Sequence, residues 1–222
     1  WEGGKHPIKV APYTRSMLDT FSTTVAACLI HATTTQKGQI NVDPRDKLLY
    51  GLAPLPYATG LLPHALNEHI DIQFLPPVKE AEHMTFSERN KLGFKMAMQQ
   101  DVELFFGLGS VAYAIGLSLG STSSSGGLSS LLKCKLKMVW RILKARQACK
   151  KENRSLEPRD LFKLKGFMVA GTDNNSYKDD LEALWGIRPM EIFAGTEPSL
   201  IGTETWTRSG MASLGTAAWA SP

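Results

Sequence analysis

Phe167-Met168-Val169-Ala170, followed by Gly171-Thr172-Asp173, is the stretch of this chain that decides its fold. Four apolar residues bounded by small and polar ones are typical of a buried strand. The residues that follow predict a helix from Ser176 to Trp185 and a second apolar strand from Met190 to Phe193. Strand, helix and strand in succession indicate an α/β fold with a largely parallel sheet flanked by helices.

The same alternation extends towards the start of the chain. In chain order we predict a helix at 15–35 capped by Thr14, a strand at 48–52, a helix ending near 69, a strand at 71–75, a helix at 86–100, a strand at 102–106 and a helix at 107–119. A Ser/Gly-rich linker at 121–130 then separates a first α/β subdomain (1–120) from a second α/β portion (131–222). The linker superficially resembles a phosphate loop, but no strand directly precedes it.

One segment carries the basic charge of the chain. The 222 residues have a net charge of +4, and eight basic residues with no acidic residue lie between Lys133 and Lys151. Subtracting these eight charges from +4 leaves −4, which argues against a protein whose whole surface binds nucleic acid. Apolar residues at helical spacing predict a basic amphipathic helix here, whose charged face is either solvated or binds a polyanion.

Cysteine, histidine and hydropathy patterns exclude several classes of protein. Three scattered cysteines do not suit a disulfide framework or a zinc cluster, so we expect a reducing compartment, the cytoplasm. The five histidines show no metal-binding spacing. The apolar stretch 104–120 is shorter than the ~20 residues that a membrane span needs. The chain starts with Trp1, and we expect it to be a piece of a longer protein.

Candidate ligand-binding residues follow from the fold, because parallel sheets bind ligands at the carboxyl ends of their strands. Three places qualify: 54–60, 171–173 and 194–197. In Glu191-Ile-Phe-Ala-Gly-Thr-Glu197, the aromatic ring of Phe193 can stack on a purine, the hydroxyl of Thr196 can bond a phosphate oxygen, and Glu197 can hold Mg²⁺. In the alternative interpretation, Thr196 caps a turn and Glu197 is solvated.

These segments resemble motifs of the acyl-adenylate-forming enzymes, the superfamily of acyl-CoA synthetases and adenylation domains. Phe193-Ala194-Gly195-Thr196-Glu197 is similar to their Tyr-Gly-x-Thr-Glu motif, and 169–173 to their strand end at the adenine and ribose. Leu55-Pro56-Tyr57-Ala58-Thr59-Gly60 resembles a Pro-Leu-Phe-His-x-x-Gly stretch, with Tyr57 where His is usual. Residues 102–109 resemble the lining of the acyl channel, and 3–14 the end of the phosphate loop. The nearest likeness is to auxin-responsive-promoter type acyl acid amido synthetases and their bacterial relatives, with phenylacetate-CoA-ligase-like enzymes close by.

The resemblance implies part of the N-terminal domain of an AMP-forming acid ligase, which makes an acyl-adenylate and transfers its acyl group to CoA or an amine. It implies ATP and Mg²⁺ as cofactors, a small-molecule carboxylate as substrate, and a lid domain with an essential Lys outside this chain. The chain alone should bind nucleotide but catalyse poorly. The implied residues are Thr196, Glu197 and Lys9 at the phosphates, with Glu197 on the metal; Gly171, Thr172, Asp173, Phe193, Ala194 and Gly195 at the nucleotide; and Tyr57, Gly107 and Gly109 at the substrate. The alternative is a non-catalytic α/β binding module that uses helix 133–151 on a polyanion or a partner.

Overall fold

The computed structural model describes residues 11–55, 57–125, 136–171, 174–195 and 199–213. These residues contain one sheet of seven strands in the order β2-β1-β3-β4-β5-β6-β7. The strands are β1 (Lys47–Gly51), β2 (Gln73–Leu75), β3 (Leu104–Leu108), β4 (Gly166–Ala170), β5 (Met190–Gly195), β6 (Ser199–Glu204) and β7 (Met211–Ser213).

The first five strands are parallel, and β6 and β7 continue the sheet in antiparallel pairing. This confirms the predicted largely parallel α/β fold. The chain leaves β1 towards β2 on one side and resumes with β3 on the other, which creates a switch point at the carboxyl ends of β1 and β3. Strands β3 and β4, which flank the predicted linker, pair directly with each other.

Helices cover both faces of the sheet. They are α1 (Arg15–Thr33), α2 (Leu62–Asn67), α3 (Val78–Ala81), α4 (Phe86–Gln99), α5 (Gly109–Ser125), α6 (Leu136–Lys151), α7 (Pro158–Leu161) and α8 (Asn174–Trp185), with a short 3₁₀ helix at Ala58–Leu61 before α2. Thr14 caps α1, as predicted, by accepting a hydrogen bond from the Met17 N–H at 3.2 Å. Thr85 and Glu88 form a reciprocal capping box at the start of α4.

Two predictions about the middle of the chain were wrong, and two strands near its end were missed. Strand β3 runs from Leu104 to Leu108 instead of 102–106, because Leu104 pairs with Leu48 and with Gly166 in the sheet. Gly107 therefore lies inside a strand and not in a helix. Residues 121–125, predicted as linker, are the last turn of α5, because adding residues to an existing helix is easier than starting one. Strands β6 and β7 were not predicted at all.

The core has two layers, one on each face of the sheet. On the α1 face, side chains of α1 and α2 pack against alternate strand residues such as Leu104 and Phe106. On the α4 face, side chains of α4 to α8 pack against the residues between them, such as Phe105. The alternation of strand side chains, with a period of two, separates these layers.

Candidate functional site

A cleft of about 480 Å³ opens on the α1 face at the carboxyl ends of β1, β3, β4 and β5. Its volume lies within the range of small-molecule binding sites. The described residues that line it are Tyr13, Phe21, Leu52, Ala53, Tyr57, Ala58, Thr59, Leu62, Phe86, Phe106, Leu108, Ala170, Ile192, Ala194, Gly195, Ser199 and Leu200. The cleft includes the switch point between β1 and β3, where open α/β sheets bind ligands.

The lining of this cleft is apolar and uncharged. Among its described residues no side chain carries a charge, and the only polar groups on their side chains are the hydroxyls of Tyr13, Tyr57, Thr59 and Ser199. Such a surface excludes water from an apolar ligand and orients it through a few hydrogen bonds. It does not by itself neutralise a phosphate group.

The turn between β1 and α2 forms one wall of the cleft and is held closely. The Thr59 hydroxyl donates a hydrogen bond to the Ala53 carbonyl at 2.8 Å, and the Tyr50 hydroxyl donates to the Thr59 carbonyl. A Cβ on Gly60 would lie 2.1 Å from the Leu55 amide nitrogen, so the turn requires glycine at this position. The glycine of the predicted Leu55–Gly60 motif is therefore explained by close backbone packing.

A buried cation, Arg89, lies beside this turn and is not among the described residues that line the cleft. The guanidinium carbon of Arg89, on α4, is 4.7 Å from the centre of the Tyr50 ring, and Arg89 is only 4% exposed. Within the described residues its Nη2 atom has no hydrogen-bond partner, and burial lowers its pKa. Burial also raises the pKa of the Tyr50 hydroxyl, which therefore remains a hydrogen-bond donor. Arg89 thus supports the cleft wall through Tyr50.

The sequence analysis did not identify Arg89 or Tyr50. Arg89 follows a capped helix start and is surrounded by polar residues, a pattern typical of a solvated helix face. Tyr50 lies in an apolar strand, where its ring is expected in the core. Only the packing of α4 against β1 brings the two side chains together.

Some of the predicted site residues meet at the cleft. Tyr57, Ala194 and Gly195 line it, and Tyr57 is 65% exposed. Gly171 is exposed at the end of β4, directly after the lining residue Ala170. Three segments far apart in the chain therefore converge at one edge of the sheet.

Other predicted site residues lie elsewhere. Phe193, which is 51% exposed, and Gly107 and Gly109 are not among the described residues that line the cleft. A Cβ on Gly107 would lie 2.9 Å from the Phe105 ring, whose side chain belongs to the core layer of the α4 face. The predicted residues that lie outside the described part of the chain are Lys9, Thr172, Asp173, Thr196 and Glu197.

The described residues offer neither a ready metal centre nor a nucleophilic thiol. Among them, no three His, Cys, Asp or Glu side chains are grouped so that they could hold a metal ion. Cys28 and Cys149 are buried and unpaired, and burial is the main cause that raises the pKa of each thiol to about 11. Both therefore remain protonated near neutral pH, and the prediction that Cys28 belongs to the core is confirmed.

No helix in the described part of the chain combines the length and the apolar character that crossing a bilayer requires.

Known structures give the fold independently, although no protein-family model and no curated protein matches the chain. A 2-hydroxyisobutyryl-CoA ligase in the postadenylation state, in complex with R3-HIB-AMP, matches with a TM-score of 0.50 and 16% identity, over 89% of this chain and 33% of the ligase. An open conformation of a 2-hydroxyisobutyryl-CoA ligase with 2-HIB-AMP and CoA has a TM-score of 0.48 and 16% identity, over 89% and 36%. A malonyl-CoA ligase ternary product complex with methylmalonyl-CoA and AMP has a TM-score of 0.44 and 15% identity, over 85% and 30%.

The first of these matches shows the architecture of the chain. Its low identity limits the conclusion to the fold, and its coverage means that this chain spans about a third of the ligase's length. The chain shares its mostly parallel, helix-flanked sheet with the matching third of that ligase.

Proposed function

We propose that this chain is the nucleotide- and acid-binding part of an AMP-forming acid ligase. The observation that carries this proposal is the cleft at the carboxyl ends of β1, β3, β4 and β5. Ala194 and Gly195 line it, and they directly precede Thr196 and Glu197 in the motif that resembles the superfamily. A ligand in this cleft would therefore lie next to the proposed phosphate-binding residues.

The proposed reaction has two steps. A carboxylate oxygen of the acid attacks the α-phosphorus of ATP, the bond from that phosphorus to the bridging oxygen breaks, and pyrophosphate leaves. The acceptor, a CoA thiol or an amine, then attacks the acyl carbonyl carbon, loses a proton and displaces AMP. In the first step Thr196 would donate a hydrogen bond to a phosphate oxygen, and Lys9 would neutralise charge on the β- and γ-phosphates.

The proposed Mg²⁺ ligand is Glu197, through a carboxylate oxygen. Since the described residues contain no group of three metal ligands, the remaining positions would be filled by phosphate oxygens and water. This donor set suits Mg²⁺, which is commonly bound through one or two carboxylates and the substrate's phosphates. Bound there, the ion would supply positive charge that offsets the charge of the phosphates.

The lining of the cleft indicates the class of acid. Phe106 and Leu108 extend from β3 into a wall without charged side chains, so the part of the acid remote from its carboxylate is uncharged and apolar. A second carboxylate there would lose its hydration without gaining a partner among the described lining residues. The resemblance leaves two classes of acceptor, the CoA thiol and an amine.

Calorimetric titration with ATP and Mg²⁺ tests the proposal. We expect Glu197→Gln to weaken binding about tenfold when Mg²⁺ is present and much less without it, because the change removes charge from the proposed metal ligand. Glu80→Gln, at an exposed position of α3, is the matched control and should leave binding unchanged. Equal weakening by both variants, or no binding of ATP by the parent chain, would contradict the nucleotide role.

A second pair of variants tests the cleft itself. Ala194→Trp places an indole in the cleft and should abolish ligand binding, whereas Ala183→Trp, at an exposed position of α8, should not. Both alanines are exposed, so both variants should keep the parent's denaturation midpoint. Undiminished ATP and acid binding by Ala194→Trp would show that the ligands bind elsewhere.

A further inference from the structure

Helix α6 carries apolar side chains on the face that points away from the core. Ile142, Ala145 and Cys149 are buried against the α4 face of the sheet and define the inner side of the helix. Trp140 and Leu143 lie on the opposite side and are 67% and 51% exposed. A large aromatic ring with two thirds of its surface in water is unusual in a folded domain, where tryptophan is mostly buried.

Lysines surround this exposed pair. The ammonium nitrogen of Lys144 lies 5.3 Å from the centre of the Trp140 ring. At 100° per residue, Lys151 projects within about 20° of Trp140 around the helix axis. Lys150 falls on the flank beside Leu143, and no acidic residue occurs from Trp140 to Lys151. Trp140, Leu143, Lys144, Lys150 and Lys151 form what we call the outer face of α6.

The two arginines of this helix, Arg141 and Arg146, do not belong to that face. Arg141 bends inward, donates a hydrogen bond to the Gln100 carbonyl at 3.2 Å and pairs with Asp101 at 3.1 Å. Its guanidinium also lies 5.6 Å from the centre of the Phe162 ring. Arg146, between the inner side and the flank, has a buried Nε atom. The helix therefore anchors Arg141 to the protein and directs Lys144, Lys150 and Lys151 to solvent.

We propose that the outer face of α6 binds the surface of an anionic lipid bilayer. An indole and a leucine on one side of a helix, flanked by lysines, match the boundary between headgroups and acyl chains, where the apolar groups insert and the ammonium groups meet phosphates. The remaining chain has a net charge of −4, so the basic segment supplies the excess positive charge that attracts an anionic surface. Since α6 packs on the α4 face, the cleft on the α1 face stays open.

A nucleic acid would use this face differently. Its phosphates would attract the same lysines, and a base would stack on Trp140, but Leu143 would contribute little and the salt dependence would dominate. Leu143 beside an exposed tryptophan therefore favours lipid over a single-stranded nucleic acid. The two partners are distinguished by which variants weaken binding.

Sedimentation of the whole chain with vesicles tests the proposal. The probes are vesicles of pure phosphatidylcholine and vesicles containing roughly 30% phosphatidylglycerol. We expect about tenfold stronger partitioning onto the anionic vesicles. Trp140→Ser/Leu143→Ser and Lys144→Glu/Lys151→Glu should each reduce it about tenfold, because one removes insertion and the other reverses the charge.

Matched controls separate this face from the rest of the surface. Ile40→Ser/Met211→Ser removes two exposed apolar side chains elsewhere, and Lys79→Glu/Lys91→Glu reverses two exposed charges elsewhere. Neither should change vesicle binding. All variants alter exposed positions, so unchanged denaturation midpoints check that they are folded.

Three outcomes would overturn the proposal. The first is equal binding to neutral and anionic vesicles. The second is full vesicle binding by the Trp140→Ser/Leu143→Ser variant together with displacement of the protein by an RNA oligomer, which would identify a nucleic-acid surface. The third is a Trp140 fluorescence signal, taken as the difference from Trp140→Phe, that acrylamide does not quench, because the ring would then be covered.

Discussion

The two faces of this sheet differ in how closely their side chains are packed. On the α4 face, the rings of Phe105, Phe167 and Trp185 lie 5.2 to 5.5 Å apart, centre to centre, and fill the layer behind β3 and β4. On the α1 face, other residues of the same strands, Phe106 and Ala170, border a cleft of about 480 Å³. Adjacent residues of one strand thus serve stability and binding separately, because successive side chains point to opposite faces.

The largest effect on stability is expected on the filled face. Trp185→Ala should lower the free energy of unfolding by about 4 kcal/mol. The change removes a buried ring that contacts the rings of Phe105, Phe162 and Phe167, and an Nε1–H that donates to the Ala112 carbonyl. Leu108→Ala, at the cleft, should lower it by only about 1 kcal/mol while changing ligand affinity. Urea denaturation measures both free energies of unfolding. A larger loss for Leu108→Ala than for Trp185→Ala would contradict the distinction between the faces.

The edge where the sheet turns antiparallel depends on a buried ion pair. Lys178 of α8 pairs with Glu204 of β6, both less than 8% exposed, and the other Glu204 oxygen accepts a hydrogen bond from the Glu191 N–H at 2.9 Å. Lys178→Met should lower the free energy of unfolding by about 3 kcal/mol, because it leaves an unpaired buried carboxylate. The double variant Lys178→Met/Glu204→Leu should lose less than the sum of the two single variants. An additive result would mean that the pair is not coupled.

The carboxyl group of Asp160 should make the stability of the fold depend on pH. Burial of the Asp160 carboxyl opposes ionisation, but hydrogen bonds from Arg154 and from the Glu157 N–H outweigh it and lower its pKa to about 2. Its folded pKa lies below the unfolded value of about 3.9, so Asp160 stabilises the fold by about 2 kcal/mol above pH 5 and loses this as pH falls from 4 towards 2. Urea denaturation of parent and Asp160→Asn should differ at pH 7 and converge near pH 2. A difference independent of pH would refute this role.

A smaller effect on stability is expected at the turn that forms the cleft wall. Gly60→Ala should lower the free energy of unfolding by about 1–2 kcal/mol, because its Cβ would overlap the backbone at Leu55 and displace the turn. The same shift should weaken ligand binding more than it weakens the fold, as calorimetry beside denaturation would show. Gly51→Ala is the control, since its Cβ would come no closer than 3.4 Å to Asn90. Equal effects of both variants would show that the turn does not shape the cleft.

Local sequence patterns predicted the parallel part of the sheet well. Apolar runs such as 167–170 and the cap Thr14 act through neighbouring residues, so they can be recognised without tertiary contacts. The shifted bounds of β3 could not be predicted in this way, because its register depends on β1 and β4. Strand β6 was missed because Gly202 and Thr203 interrupt its apolar pattern, and β7 because it has only three residues; β6 is defined by its pairing with β5, and β7 by its pairing with β6.

In the candidate site, too, some features follow from local sequence patterns and others depend on tertiary contacts. The small residues at the ends of β4 and β5, and the turn with Gly60, were predictable because strand ends in a parallel sheet lie at one edge. The contact of Arg89 with Tyr50 and the outward direction of Trp140 were not predictable, because both depend on which side of a helix meets the sheet.

The sequence by itself determined the class of fold, the order of its parallel strands along the chain and the segments that end at the ligand-binding edge. These properties follow from hydrophobic periodicity and from the conformational limits of glycine and proline, which are local. Only the tertiary structure decided which face of the sheet holds the cleft, which buried charges are paired and which apolar side chains remain in solvent. Those properties depend on contacts between residues far apart in the chain, and no local pattern encodes them.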